Sequence, residues 1–407
     1  RSLADLVVPA RCRQVRQFRI LAGSWSGCRV VRHTRSPDFM HHLSTARGLL
    51  DSHDVDAVLI TFIPNVRWTT GFTGSNGLVV LRDDGAHLLT DGRYRDQARE
   101  EVPGDMEIHI VSDGLDSGLA DEGLLADAKR VAFQSDHVTV DRRTRWGDMF
   151  TDVDFTPVSG LLTRAAGVKS RDEIDAIAAS QRITDEVFDE LLSWLQPGLT
   201  EKEVAAEIVY RHLKKGAEKM SFDPIVASGP NGALPHARPT QRTLKDGELV
   251  VIDMGCFLNG YASDMTRTVA IGEPDEDMET AYAAVLEAQE AALSEARAGM
   301  SASDLDAVAR DVLASHGLDK AFSHGLGHGV GLQIHEWPRV SRTSDDDLPA
   351  GAVVTIEPGV YLNGRFGIRI EDIIVLEEKG CRNLTGSTKS LTRIDGVLDR
   401  PGAETGS

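Results

Sequence analysis

The stretch Gly247-Glu-Leu-Val-Val-Ile-Asp253-Met-Gly255-Cys-Phe257-Leu258-Asn259-Gly260 is nearly repeated as Gly351-Ala-Val-Val-Thr-Ile-Glu357-Pro-Gly359-Val-Tyr361-Leu362-Asn363-Gly364. In each copy an apolar run delivers one carboxylate and then reaches an Asn-Gly pair, a strong hairpin signal. A buried acid must be paired or bound to metal, because stripping its hydration is costly. A duplicated acid-bearing hairpin therefore predicts a site assembled from two related halves.

The duplication extends upstream. Gly198-Leu-Thr200-Glu-Lys-Glu203 corresponds to Gly299-Met-Ser301-Ala-Ser-Asp304. Both read as helix starts, with a hydroxyl N-cap and an acid three residues on. Between helix and hairpin each copy carries a His followed by a Pro, in His236-Ala-Arg-Pro239 and His335-Glu-Trp-Pro338. The period is too long for a solenoid. Two halves facing each other, with the acids meeting between them, are expected.

Register arguments place some of these acids. If Asn259-Gly260 forms a two-residue turn, Asp253 opposes Thr266 and Asp264 is its diagonal neighbour on the same face. Such neighbours lie ~7–8 Å apart at the backbone, within reach of one metal centre. Two bare carboxylates that close repel each other, and a dication removes the penalty. The same turn at Asn363-Gly364 pairs Glu357 with Ile370 and sends Glu371 to the other face. A bulge at Pro358-Gly359 is expected to restore it, since Pro cannot donate to a ladder and Gly tolerates the distortion.

His324-Gly-Leu-Gly-His328-Gly-Val-Gly-Leu adds two imidazoles on one face, whether helix or strand. Its alternate glycines permit close backbone approach. The Lys and Ser/Thr of a phosphate loop are absent. His335-Glu336 lacks the second His of a zincin helix, and no G-x-S-x-G elbow supports a serine hydrolase. Carboxylate-rich donors with a single imidazole suit Mn²⁺, with Zn²⁺ or Co²⁺ as alternatives.

Composition sets the wider frame. The chain has 407 residues, enough for two domains, and a formal net charge of −19. That charge argues against nucleic acid as a partner. Cys12, Cys28, Cys256 and Cys381 form no close-spaced pair, which fits a reducing compartment, the cytoplasm. No apolar run is long enough for a membrane span. Residues 1–39 hold eight Arg and two acids and are read as disordered or non-native sequence ahead of a start at Met40. From Met40 to about residue 165, strands such as Gly77–Leu81 and Ala86–Thr90 alternate with helices such as Ser44–His53, predicting an α/β domain. Ser170-Arg-Asp-Glu173 then opens a long amphipathic helix, and a polar tail, 396–407, is expected to be flexible.

Taken together, Val-Val-Ile-Asp253-Met-Gly, Ser-Asp264-Met-Thr-Arg-Thr, the His324–His328 segment, Thr-Ile-Glu357-Pro-Gly and Gly-Ile-Arg369-Ile-Glu371-Asp closely resemble the motifs of the pita-bread metallopeptidases. This is the family of methionine aminopeptidase, aminopeptidase P and prolidase. Asn65-Val-Arg-Trp-Thr-Thr-Gly-Phe-Thr-Gly-Ser-Asn-Gly77 and Asp91-Gly-Arg93-Tyr94 look like the creatinase-type N-terminal domain, which favours the Xaa-Pro peptidase branch. The resemblance implies an α+β protein: a pseudo-twofold pita-bread domain at 170–395, preceded by a smaller α/β domain at 40–165. It implies two divalent metal ions held by Asp253, Asp264, His328, Glu357 and Glu371, with Asp264 and Glu371 bridging. A metal-bridging hydroxide would hydrolyse the Xaa-Pro bond of short proline-containing peptides, with Glu357 shuttling the proton. His236, His324 and His335 would orient substrate and stabilise the oxyanion. Arg369 would orient substrate or pair with site acids. The N-terminal domain would limit peptide length, and the family suggests a homodimer. A related hydrolase with a non-proline substrate and a non-catalytic binding protein of the same fold are the alternatives.

Overall fold

The computed structural model describes residues 38–395. The expectations for the basic segment before Asp38 and for the tail 396–407 lie outside the described residues. Helix Asp38–Arg47 begins earlier than the sequence predicts, and Gly48 separates it from Leu49–His53.

Residues 57–158 build one six-stranded sheet. Its order is Glu107–Val111, Ala86–Asp91, Leu78–Arg82, Ala57–Ile60, Arg130–Gln134 and Asp154–Val158. The Asp83-Asp84-Gly85 turn joins an antiparallel pair, as its composition predicts, while the outer pairs are parallel. Ala57–Ile60 is buried on both faces, and its four apolar residues fit a central strand covered on both sides. Helices Ile63–Thr70 and Val140–Met149, together with the edge strand Asp154–Val158, are elements that the sequence reading does not predict.

The second region carries the duplication. Helices Glu201–Lys214 and Ala302–Ser315 have 14 residues each. Thr200 forms a full capping box with Glu203, whereas Ser301 caps the Asp304 amide without the reciprocal bond. Just before each helix the same backbone exchange recurs. Gly198 donates to Leu244 and Leu244 to Leu199 in one half; Gly299 donates to Leu348 and Leu348 to Met300 in the other. Each half thus folds its helix back on the start of its hairpin. Alanines 281, 284, 288 and 292 on helix Glu276–Glu295 are buried and allow close packing of that helix in the second half's core.

The two hairpins close differently. Asn259 (φ 51°) and Gly260 (φ 78°) are both left-handed, so the first turn has two residues, with Leu258 opposite Tyr261 and Asp253 opposite Thr266. Both pairings match the sequence register. In the second hairpin Leu362 pairs with Phe366, so Asn363, Gly364 and Arg365 make a three-residue loop. Only Gly364 among these has positive φ. Ile356 opposes Asp372 on one side of Pro358 and Gly359 opposes Arg369 on the other. These pairings share one register, so the expected bulge at Pro358-Gly359 is absent. The longer turn supplies the shift instead and places Glu371 opposite Glu357.

Candidate metal centre

Both candidate strand acids lie where a hairpin changes partners. Strand Glu248–Met254 belongs to a four-stranded sheet, and the chain beyond Gly255 pairs elsewhere. A Cβ on Gly255 would sit 2.0 Å from the Ser263 carbonyl oxygen, so the strands cross there at a spacing open only to glycine. In the second half Pro358 has no N–H to donate, and the ladder thins there to a long bond from the Ile370 amide to the Pro358 carbonyl at 3.4 Å. The Glu357 amide donates to the Leu326 carbonyl at 2.8 Å, and the Glu371 amide to the Thr266 carbonyl at 3.1 Å. That last bond ties the second hairpin onto the first.

Asp253, Asp264 and Glu371 are buried, and Glu357 keeps 17 % side-chain exposure. Ligand atoms of Asp264, His328 and Glu371 lie within 4.8 Å of one another. His328 donates Nδ1–H to the Gly329 carbonyl at 3.1 Å, which leaves the Nε2 lone pair facing the acids. Nε2 sits 3.5 Å from Asp264 Oδ2 and 3.6 Å from Glu357 Oε1. Those separations are long for hydrogen bonds and suit donors grouped around a shared ion.

The electrostatics point the same way. Burial, reinforced by Glu371, holds the Asp264 and Glu357 carboxyls well above the usual carboxylate range. Burial and the nearby Asp253 push Glu371 up to about 8. Burial lowers His328 to about 4, so its imidazole is neutral. Arg369 faces these acids, its Nη2 meeting Asp253 Oδ2 at 2.6 Å, and Arg267 adds some relief at Glu371. Asp253 Oδ1 remains buried without a hydrogen-bond partner among the described residues. An orphaned carboxylate oxygen, crowded acids and a neutral inward-facing imidazole fit divalent cations.

Around this floor opens a cleft of about 610 Å³ whose lining includes His236, His324 and His335. His236 and His335 are exposed at its mouth, one from each half of the duplication. His324 is held deeper: Nδ1 donates to the Gly325 carbonyl at 2.8 Å, and Nε2 meets Tyr361 Oη at 2.9 Å. Arg369 is committed to structure. It reaches Asp253, Tyr361 Oη at 2.8 Å, Thr266 Oγ1 at 2.9 Å and the Pro235 carbonyl at 3.2 Å. It pairs with the site acid Asp253, one of the two roles the sequence leaves to it.

The sequence reading missed Thr266 and Tyr361. Thr266 Oγ1 donates to Glu371 Oε2 at 2.6 Å and accepts from Arg369. Its position opposite Asp253 was the available signal. Tyr361 links His324 to Arg369 from the second hairpin. Arg238 and Arg339 line the cleft as well, both exposed.

Fold and centre together define a two-domain metallopeptidase of the pita-bread class. The family description of metallopeptidase family M24 matches residues 175–378, and that of the creatinase/prolidase N-terminal domain matches residues 42–165. An uncharacterized peptidase of Bacillus subtilis is 37 % identical over 349 residues, covering 86 % of this chain and 99 % of that protein. The solved Xaa-Pro dipeptidase from Bacillus anthracis superposes with a TM-score of 0.84 at 34 % identity, over 87 % of this chain and 99 % of its own. The X-Pro aminopeptidase from Thermotoga maritima gives a TM-score of 0.79 at 37 % identity, over 84 % and 98 %. The chain belongs to metallopeptidase family M24, with a creatinase/prolidase N-terminal domain.

Proposed function

We propose that this protein is a metal-dependent exopeptidase that hydrolyses the bond between an N-terminal residue and a following proline, and that Xaa-Pro dipeptides are its preferred substrates. The observation that carries this reading is the convergence of Asp253, Asp264, His328, Glu357 and Glu371 on the floor of one cleft, with burial and mutual repulsion raising the carboxyl pKa values. Relatives bearing Xaa-Pro dipeptidase and X-Pro aminopeptidase names support the substrate class.

Asp253, Asp264, His328, Glu357 and Glu371 would together hold two divalent ions. Such ions supply Lewis-acid polarisation of the scissile carbonyl and activation of water. The donor set favours Mn²⁺, with Zn²⁺ or Co²⁺ as substitutes. Glu357 takes a proton from the attacking water on a carboxylate oxygen and delivers it to the departing proline nitrogen. His236 and His335 donate to the carbonyl oxygen as charge develops there. Tyr361 fixes the His324 ring, while Arg369 and Thr266 hold Asp253 and Glu371 in place. Arg238 and Arg339 put positive charge on the cleft lining, where the free carboxylate of a dipeptide can be met; this favours dipeptidase over aminopeptidase action.

Asp264→Ala should lower Ala-Pro hydrolysis by at least 1,000-fold, on the order expected when a metal centre is dismantled, with circular dichroism unchanged. Retained turnover would overturn the assignment. A panel of Ala-Pro against Ala-Pro-Ala decides the finer point. Arg339→Ala should raise KM for Ala-Pro about tenfold, the loss of roughly one charge-assisted hydrogen bond, with little change for the tripeptide. Equal effects on both would remove the dipeptidase preference.

A further inference from the structure

The N-terminal sheet carries a second group of donors that the peptidase centre does not use. Glu107 and His109 alternate on edge strand Glu107–Val111 and so share a face. The parallel register sets Glu107 beside His87 on strand Ala86–Asp91. His87 Nδ1 lies 3.1 Å from His109 Nε2, to which it donates a hydrogen bond when no ion is bound, and 3.5 Å from Glu107 Oε2, and His109 Nε2 lies 4.0 Å from Glu107 Oε1. Donors bound at 2.0–2.2 Å around a tetrahedral ion sit about 3.3–3.5 Å apart. The three separations bracket that spacing.

A separate contact fixes the chemistry of the nearer imidazole. His109 Nδ1 meets Glu122 Oε2 at 2.9 Å, just past helix Leu115–Asp121. A carboxylate there keeps the proton on Nδ1 and turns the Nε2 lone pair toward His87 and Glu107, the outer arrangement typical of metal-bound histidines. The His109 side chain is 8 % exposed and that of His87 14 %, so both rings are held by their surroundings, while Glu107 at 67 % faces water. Arg82 and Asp84 are the neighbouring charges felt by His87. Arg82 is engaged by Asp84 at 3.0 Å and by the Leu124 carbonyl at 2.8 Å, so its cation is committed away from the cluster.

We propose that His87, Glu107 and His109 bind one borderline divalent cation of the Zn²⁺ type, with water completing the tetrahedron and Glu122 orienting His109. The ion would clamp the edge strand to its neighbour and is independent of the centre in the cleft.

The test uses the full chain equilibrated with Zn²⁺ and dialysed, with metal per chain counted by mass spectrometry. Wild type should hold one equivalent more than His109→Gln and His87→Gln, while all three hydrolyse Ala-Pro equally after loading with Mn²⁺. Glu122→Gln should keep the site and weaken its Zn²⁺ affinity about 10–100-fold. Replacing Zn²⁺ by Co²⁺ should give an intense tetrahedral visible band in wild type that the His variants lose. Should His109→Gln fail to fold, His87→Gln at the less buried position carries the count alone. Equal Zn²⁺ content in wild type and either folded His variant would overturn the proposal.

Discussion

At the residue scale the centre is defined by charges held at a cost. Glu371 is raised to about 8, so without metal the folded state keeps a proton that the unfolded chain releases near the ordinary value of 4.5. A raised carboxyl contributes stability below the unfolded pKa and loses it as pH climbs to the folded one. The histidines act oppositely: His324 and His328 are lowered to about 4, so their contribution fades as pH falls from 6.5 toward 4. Between pH 6.5 and 8 only the carboxyl effect operates. Metal-stripped protein should therefore lose stability across that window, by roughly 1 kcal/mol per pH unit from Glu371 alone, with Asp264 and Glu357 acting in the same direction. Metal-loaded protein should show no loss or a gain, because binding needs deprotonated ligands. Melting curves with chelator and with Mn²⁺ at pH 6.5, 7.2 and 8 check this. Parallel slopes would mean that the buried carboxyls are not the metal ligands.

At the element scale, close backbone approach explains the glycines flanking His328. A Cβ on Gly327 would lie 2.0 Å from the Thr355 carbonyl oxygen, and one on Gly329 would lie 2.3 Å from that of Trp337. Strand Gly327–Gly329 is wedged between its neighbours, and His328 aims at the acids because nothing bulkier fits beside it. Gly327→Ala should displace that strand, weaken metal binding at least tenfold and lower kcat, as read by metal titration and turnover. Wild-type metal affinity in this variant would contradict the wedge. Capping is a smaller effect. Thr200→Ala removes the side chain bonded to the Glu203 amide and should cost about 1 kcal/mol of stability, measured by denaturant unfolding. Ser301→Ala should cost no more than that, since its half of the duplication has only one side of the box.

At the scale of the whole molecule, the N-terminal region leans on the first hairpin. Arg67 Nη2 donates to the Asn259 carbonyl at 2.6 Å, and a Cβ on Gly260 would meet the Arg67 guanidinium. Tyr261 Oη, on the same hairpin, donates at 3.0 Å to Glu173 of the second region, whose carboxylate lies 3.4 Å from His42 Nε2 of the N-terminal region. Lys169, on the link between the two regions, is buried and forms an ion pair with Glu336, next to His335. Removing one partner of a buried pair strands the other charge, typically at about 3–5 kcal/mol. Lys169→Ala should lower Tm by several degrees and raise KM by loosening the strand that follows His335. If Tm and KM both stay at wild-type values, the link does not brace the cleft.

Much of this was legible in the residues. The duplicated hairpin, the helix starts and the pairing of Asp253 with Thr266 follow from local rules, because side-chain alternation and Asn-Gly turns act over a few residues. The second hairpin shows the limit. Asn363-Gly364 is compatible with turns of two or three residues, and the choice decides which face Glu371 occupies. Only the folded chain settles it, through the Glu371 amide bonding to Thr266 and the Glu357 amide to Leu326. The roles of Arg369, Thr266 and Tyr361 likewise depend on contacts between the two halves. Sequence alone set Asp253 and Glu357 on hairpin strands and Asp264 beside Asp253, since local patterning fixes strand and turn; the wider donor set came from the resemblance to a family. Tertiary structure decided how they face one another, since long-range backbone bonds set the final register.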